Sequence, residues 1–370
     1  MAGAHDISSA DNRPIRVMIV DDSSVARGFL AGFLEGDAGI SVVSAVADGQ
    51  QALQALSQAQ PDVIILDLEM PVMDGLTALP QIVKKSPKAQ VIVASTLTHE
   101  NATLAMKCLA LGAADCLGKP QSQDMAFADV FRQDLVNRVK LLGQVARGKP
   151  LPEQKKTEQA PPPPEPQRLR PARNVFKPEA IAIASSTGGP AALLSFFQGL
   201  DGKPLPQPIF VTQHMPPVFT QLLADNIAIG ARLTAREATE GEEVRGGVVY
   251  IAPGNFHMTI VIDGALKRIR LTRDAPVNFC RPSADPMLES LSTAYQGRVL
   301  AMVLTGMGTD GLNGCRKLAQ AGGEIYAQDE ASSVVWGMPG AVAQAALCNR
   351  ILPLAEMPAA VRLCALEGDG

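Results

Sequence analysis

A chain of 370 residues is longer than one hydrophobic core ordinarily serves, and at roughly 100–200 residues per domain it points to two domains. Its 46% hydrophobic and 19% charged residues are those of an ordinary globular protein, and a net charge of -4 leaves no electrostatic footprint for nucleic acid. No run approaches the roughly 18 apolar residues of a membrane span, and Met1 to Pro14 lacks an apolar signal core, so a cytoplasmic location is expected.

From Ile15 to about Leu142, short β-branched runs alternate with longer amphipathic ones. Strands are predicted at Arg16 to Val20, Ser41 to Ala45, Val63 to Leu66, Gln90 to Ala94 and Asp115 to Leu117. Strands separated by helices imply right-handed crossovers and a parallel α/β sheet. From Gly143 to Pro178 the composition breaks. Pro161 to Pro164, scattered charge and few large apolar residues predict a semi-rigid linker, made locally basic by Arg168, Arg170, Arg173 and Lys177 and read as a solvated tether.

A second α/β pattern begins at Ala180. Strands are predicted at Ala180 to Ala184, Pro208 to Thr212, Gly247 to Ala252, Met258 to Ile262, Arg268 to Thr272, Val299 to Leu304 and Glu324 to Ala327. Helices are predicted at Ala191 to Gly199, Val218 to Ile229, Ala284 to Tyr295, Asp310 to Gly322 and Gly340 to Cys348. The six cysteines show no C-x-x-C spacing and read as reduced interior thiols, and none of the four histidines has a Cys or Glu at ligand spacing, which argues against zinc.

In the first half, Asp21 and Asp22 follow the first strand, Asp67 ends the third, Ser95 ends the fourth and Lys119 follows the fifth. A parallel sheet brings these strand ends to one edge. Clustered carboxylates repel one another, so the group is expected to hold a divalent cation, and an all-oxygen site with room for a phosphoryl group suits Mg2+ on Asp21, Asp22 and Asp67. An aspartate beside that metal can accept a phosphoryl group, with Lys119 as a point charge on its oxygens and the Ser95 hydroxyl within reach. Taken singly, each residue has a plain alternative as a helix cap, surface cation or loop residue.

Residues 15 to 142 strongly resemble a response-regulator receiver domain through Val-Asp-Asp-Ser at 20 to 23, Leu-Asp-Leu-Glu-Met-Pro-Val-Met-Asp-Gly at 66 to 75 and Gly-Lys-Pro at 118 to 120. The resemblance implies a five-stranded parallel, flavodoxin-like fold and phosphorylation of Asp67 by a histidine kinase. Receivers usually carry an aromatic residue three before the lysine. Here that position is Cys116, so the aromatic half of the usual switch is absent and coupling is left to Ser95 and its neighbouring loops.

In the second half, Ile-Ala-Ile-Ala-Ser-Ser-Thr-Gly-Gly-Pro at 181 to 190 is a strand running into two hydroxyls and a glycine pair, His214 ends a second strand, and Asp310 follows a third. Open α/β sheets collect working residues beyond the carboxyl ends of their strands, so the three can converge. A serine needs a base, and the base needs an orienting acid. The order Ser, His, Asp and the lack of a G-x-S-x-G elbow argue against an ordinary α/β-hydrolase. Read alone, the Ser-Ser-Thr segment could instead cap a helix beside a phosphate.

Residues 178 to about 365 closely resemble the catalytic domain of the chemotaxis protein-glutamate methylesterase, CheB. The shared strings are Ser-Thr-Gly-Gly-Pro at 186 to 190, Gln-His-Met-Pro at 213 to 216, Tyr-Ile-Ala-Pro-Gly at 250 to 254, Arg-Pro-Ser-Ala-Asp at 281 to 285 and Leu-Thr-Gly-Met-Gly-Thr-Asp-Gly at 304 to 311. The resemblance implies Ser186 as nucleophile, His214 as base, Asp310 as orienting acid, and Thr187 and Met307 as backbone oxyanion donors. Ser185, where the family usually has a small residue without a hydroxyl, places a second hydroxyl beside the nucleophile. His257, Arg281 and Asp285 are read as structural. The whole then implies a doubly wound, mostly parallel esterase domain over 178–370, without a cofactor of its own. Its substrates are methylated glutamates and selected glutamines of chemoreceptors. An unphosphorylated receiver packs over the cleft, and phosphorylation shifts the balance toward an uncovered state. The rival readings are a non-enzymatic phosphosignalling adaptor and a DNA-binding regulator, the latter opposed by the lack of a basic face.

Overall fold

The computed structural model describes residues 13–96, 98–119, 125–148, 169–171 and 176–367. In the first part, strands β1 (Ile15–Val20), β2 (Ile40–Val46), β3 (Val63–Asp67), β4 (Gln90–Ser95) and β5 (Asp115–Gly118) alternate with helices α1 (Ser24–Glu35), α2 (Gly49–Ala59), α3 (Gly75–Lys85), α4 (His99–Ala110) and α5 (Met125–Ala146). The sheet order is β2-β1-β3-β4-β5. The chain therefore reverses direction across the sheet between β1 and β3, and a switch point of this kind opens a crevice at the carboxyl ends. Val17 to Val20 and Val63 to Leu66 are buried on both faces, which is why these strands read as continuous apolar runs rather than alternating ones. Asp74 caps α3 by accepting from Thr77 N at 2.7 Å.

The second part contains β6 (Ala180–Ser185), α6 (Gly189–Gln198), β7 (Ile209–Gln213), α7 (Phe219–Ala231), β8 (Thr234–Glu237), β9 (Val248–Ile251), β10 (His257–Asp263), β11 (Leu266–Thr272), α8 (Ala284–Ala294), β12 (Val299–Val303), α9 (Leu312–Ala321), β13 (Glu324–Gln328), α10 (Met338–Gln344), β14 (Arg350–Leu352) and α11 (Met357–Leu366). Seven strands form one sheet in the order β14-β13-β12-β6-β7-β9-β8, and its neighbouring strands run parallel. From β6 the chain winds one way through β7 and then returns to place β12 on the other side, so the switch point lies between β6 and β12. The core is aliphatic with aromatic anchors. Phe210 and Tyr250 stack at 5.6 Å, and each fully buried side chain of this size contributes about 1.5–3 kcal/mol.

Two expected strands, Met258 to Ile262 and Arg268 to Thr272, leave this sheet. They pair with each other as the antiparallel hairpin β10–β11. Short β8 and β14 and the helix α11 lie outside the sequence expectation; four- and three-residue strands give too little periodicity to read. Helix α5 runs to Ala146, past the expected end at 142. The proline run 161–164 lies outside the described residues, but Arg170 does not behave as part of a solvated tether. Its guanidinium donates to Gly323 O and Ala319 O, both at 3.1 Å, and its backbone N to Cys348 O at 2.8 Å, so the chain is already anchored on the second sheet's periphery there.

Candidate functional site

At the switch point of the first sheet, Asp21 and Asp22 leave β1 and Asp67 closes β3. One carboxylate oxygen from each lies within 4.8 Å of the others. Asp21 Oδ1 accepts from Ser23 N at 2.9 Å and Asp67 Oδ1 from Leu68 N at 2.8 Å, which fixes the rotamers of both. Asp21 and Asp67 are buried and Asp22 is exposed. A converging all-oxygen set with an open side is the donor chemistry of a hard divalent cation that keeps waters and meets a phosphate, so these residues fit Mg2+. Lys119 N donates to Ser95 O at 2.7 Å, tying the ends of β4 and β5 together at the same sheet edge. Cys116 is buried within β5.

At the second switch point, β6 delivers Ser186, β7 delivers His214, and the loop after β12 delivers Met307 and Asp310. His214 Nε2 lies 2.7 Å from Asp310 Oδ2. Asp310 is saturated with donors: Ser283 Oγ at 2.6 Å, Asn278 Nδ2 at 2.9 Å and Asp285 N at 3.3 Å on Oδ1, and Ala284 N at 2.6 Å beside His214 on Oδ2. The carboxylate itself occupies the capping place of α8, and Ser283, the N-cap residue, spends its hydroxyl on Asp310 rather than on the helix. Burial opposes this charge, but His214, Ser283 and the helix N–H groups outweigh burial and hold the pKa well below the usual carboxylate value.

Ser186 is buried beside Gly306, where an added Cβ would lie 2.9 Å from the Ser186 Cβ, so only glycine admits the serine's position. The two adjacent hydroxyls have different environments. Ser185 Oγ donates to Gln213 Oε1 at 2.7 Å, while the Gln213 side-chain amide donates to Ser186 O at 2.9 Å. Gln213 thus sequesters Ser185 and steadies the backbone of Ser186, and Gly189 is required because a Cβ there would meet Gln213 Oε1 at 2.0 Å. Ser186 N donates to Thr305 O at 3.0 Å and Thr187 O accepts from Thr305 Oγ1 at 2.9 Å, which fixes the turn. Among the described residues, the backbone N–H groups of Thr187 and Met307 have no acceptor, as an oxyanion pocket requires.

The remaining imidazole nitrogen, His214 Nδ1, faces Cys280 Sγ at 3.4 Å. Burial of the ring opposes its charge, but Cys280 and Asp310 outweigh burial and raise the His214 pKa above the usual histidine value. Ser186 is not hydrogen-bonded to His214 among the described residues, so Nδ1 must exchange the sulfur for the hydroxyl to act on it. Cys280, Asn278, Ser283 and Gln213 escape the sequence reading. Ser283 and Gln213 stand inside strings quoted above, whereas Cys280 meets His214 only through folding, across 66 positions. His257, Arg281 and Asp285 bond to the loops around α8: His257 Nδ1 accepts from Ser283 N at 3.2 Å, Arg281 donates to Asn255 Oδ1 at 2.6 Å, and Asp285 Oδ1 accepts from Gly314 N at 2.7 Å.

Compared with known proteins, the chain is 49% identical over 97% of its length, and 94% of the relative's, to a protein-glutamate methylesterase/protein-glutamine glutaminase of Azospirillum brasilense. The chain belongs to the CheB methylesterase family. That family's model, described as CheB methylesterase, matches residues 181–361, and the response regulator receiver domain model matches residues 17–130. A second such protein, protein-glutamate methylesterase/protein-glutamine glutaminase 1 of Paramagnetospirillum magneticum, is 47% identical over 96% of this chain and 97% of its own. Among solved structures, the catalytic domain of Thermotoga maritima CheB methylesterase is 37% identical, covering 50% of this chain and 98% of that one with a TM-score of 0.49. No helix among the described residues is long and apolar enough to cross a membrane.

Proposed function

We propose that this chain is a phosphorylation-activated serine esterase that removes methyl groups from glutamate side chains of methyl-accepting chemoreceptors and deamidates selected glutamines, acting from the cytoplasm in sensory adaptation. The observation that carries the reading is the His214–Asp310 pair at 2.7 Å, set at the same switch point as buried Ser186 in a member of the CheB methylesterase family. Ser186 Oγ attacks the side-chain carbonyl as His214 Nδ1 takes its proton, with Nε2–H held on Asp310. The Thr187 and Met307 amides receive the developing oxyanion. The proton passes from Nδ1 to the departing methoxide, giving methanol, or to the amide nitrogen, giving ammonia. Water then attacks the acyl-enzyme, His214 takes a proton from it and returns it to Ser186, and the glutamate carboxyl is released.

In the receiver, Asp67 is the phosphorylated residue, with a chemotaxis histidine kinase as donor. Asp21, Asp22 and Asp67 would hold Mg2+, which when bound neutralises charge on the transferring phosphoryl group. Lys119 and Ser95 read the modified state through its oxygens. The domain limits that go with this reading are 15–142 for the receiver, 143–177 for the linker and 178–370 for the esterase. The test is methanol release from methylated receptor membranes, with and without a small phosphodonor and Mg2+. Release that the donor stimulates and Ser186→Ala abolishes is expected; absence of release from the native chain under both conditions would sink the enzymatic reading in favour of an adaptor.

A further inference from the structure

The segment between β11 and α8 carries an exposed aromatic side chain that the chemistry above does not use. Val277 and Cys280 exchange backbone hydrogen bonds of 3.1 and 2.9 Å around a two-residue turn. Its central residues, Asn278 with φ 52° and Phe279 with φ 63°, both occupy the left-handed region. Turns of this kind favour Asn followed by Gly, because a side chain at the second position is disfavoured there. Asn278 meets that preference. Phe279 does not, and its ring is 92% exposed, the most open of the large apolar side chains among the described residues. A residue that is unfavourable for the backbone and unfavourable toward water stabilises neither the turn nor the core.

The turn is nevertheless held firmly. On one side of Phe279, Asn278 Nδ2 donates to Asp310 Oδ1 at 2.9 Å and Asp285 Oδ2 at 3.0 Å. On the other, Cys280 Sγ lies 3.4 Å from His214 Nδ1. Next along the chain, Arg281 clamps the loop through Asn255 Oδ1 and the carbonyls of Arg273 and Asp274. The ring is therefore presented from a rigid support whose two flanking residues touch the base and its acid. A glutamyl methyl ester has a short side chain, so the protein helix bearing it must come close to His214, and its neighbouring side chains one turn away lie only about 5.4 Å along the axis. A preordered aromatic whose two chain neighbours touch the base and its acid is the kind of group that dominates recognition, since little conformational freedom is lost on contact.

We infer that Phe279 is a specificity-determining contact for the substrate protein, packing against apolar side chains one helical turn from the methylated glutamate. The inference rests on the proposed esterase reading and adds the surface that selects a helix over a small ester. It is tested on the full chain with a small phosphodonor and Mg2+, measuring methanol release against receptor concentration, alongside hydrolysis of p-nitrophenyl acetate. Phe279→Ala is expected to raise the receptor KM on the order of tenfold with kcat within about twofold, and to lower the receptor to small-ester ratio of kcat/KM by a similar factor. Phe279→Tyr restores both. Phe279→Gly removes the left-handed penalty, so it melts no lower than the native chain yet shows the same rise in KM, which separates recognition from stability. An unchanged KM in Phe279→Ala while the native chain releases methanol overturns the inference alone, as does a parallel loss on both substrates. No release by the native chain overturns the esterase reading and this inference with it.

Discussion

The two sheets solve the problem of a charged carboxylate at a switch point in opposite ways. In the first, Asp21, Asp22 and Asp67 converge within 4.8 Å with one of them exposed, an arrangement whose like charges are best relieved by a cation from solvent. In the second, Asp310 is buried and receives five donors from the protein itself, among them two N–H groups at the start of α8. The first site keeps one carboxylate open to solvent, and on the proposed reading it responds to what binds there. The second is built to be complete, so its histidine stays oriented whatever binds.

The comparison is broken most directly at the second site. Ser186→Ala is expected to lower receptor demethylation on the order of 10⁴-fold or more, measured as methanol release. If it does not, Ser185 or a different chemistry carries the reaction. Asp310→Asn keeps the shape but not the charge, and turns an amide N–H toward a donor; a fall on the order of 10⁴-fold in kcat is expected, with the fold intact by circular dichroism. At the first site the expected signature differs in kind. Asp67→Asn, or chelation of Mg2+, abolishes stimulation by the phosphodonor, and persisting stimulation in the variant would place the phosphoryl group elsewhere.

Smaller effects sharpen the contrast. His214 must be neutral to take a proton, so a raised pKa places the rise of activity at higher pH than an ordinary histidine would. Cys280→Ala removes one of the two groups that raise it, and the ascending limb of the pH–rate profile is expected to move toward lower pH. The same group is linked to stability: with its folded pKa raised, its contribution is fully present below the unfolded value near 6.5 and is lost as pH rises through the folded value, so chemical denaturation of Cys280→Ala should show a weaker decline over that window. Ser185→Ala should give the smallest change in rate, because that hydroxyl is bound to Gln213, but should cost about 1–3 kcal/mol by leaving Gln213 Oε1 buried without its donor.

Much of this protein is legible in its order of residues because parallel sheets are buried on both faces. Val63 to Leu66, Ala180 to Ala184, Ile209 to Val211 and Val299 to Val303 are apolar throughout, and the polar residues that follow each run mark a carboxyl end, where open α/β sheets place their working groups. The candidate residues Asp67, Ser186 and His214 are visible for that reason, and Asp310 because glycines release the chain after β12. What the sequence could not determine is which groups face one another across long separations. That Gln213 takes Ser185 out of play, that Cys280 occupies Nδ1 of His214, that Ser283 spends its cap on Asp310 and that Arg170 is pinned to carbonyls rather than solvated all follow from side-chain directions set when strands far apart in the chain become neighbours. Local propensity fixes where a strand ends. Only packing decides what meets its last residue.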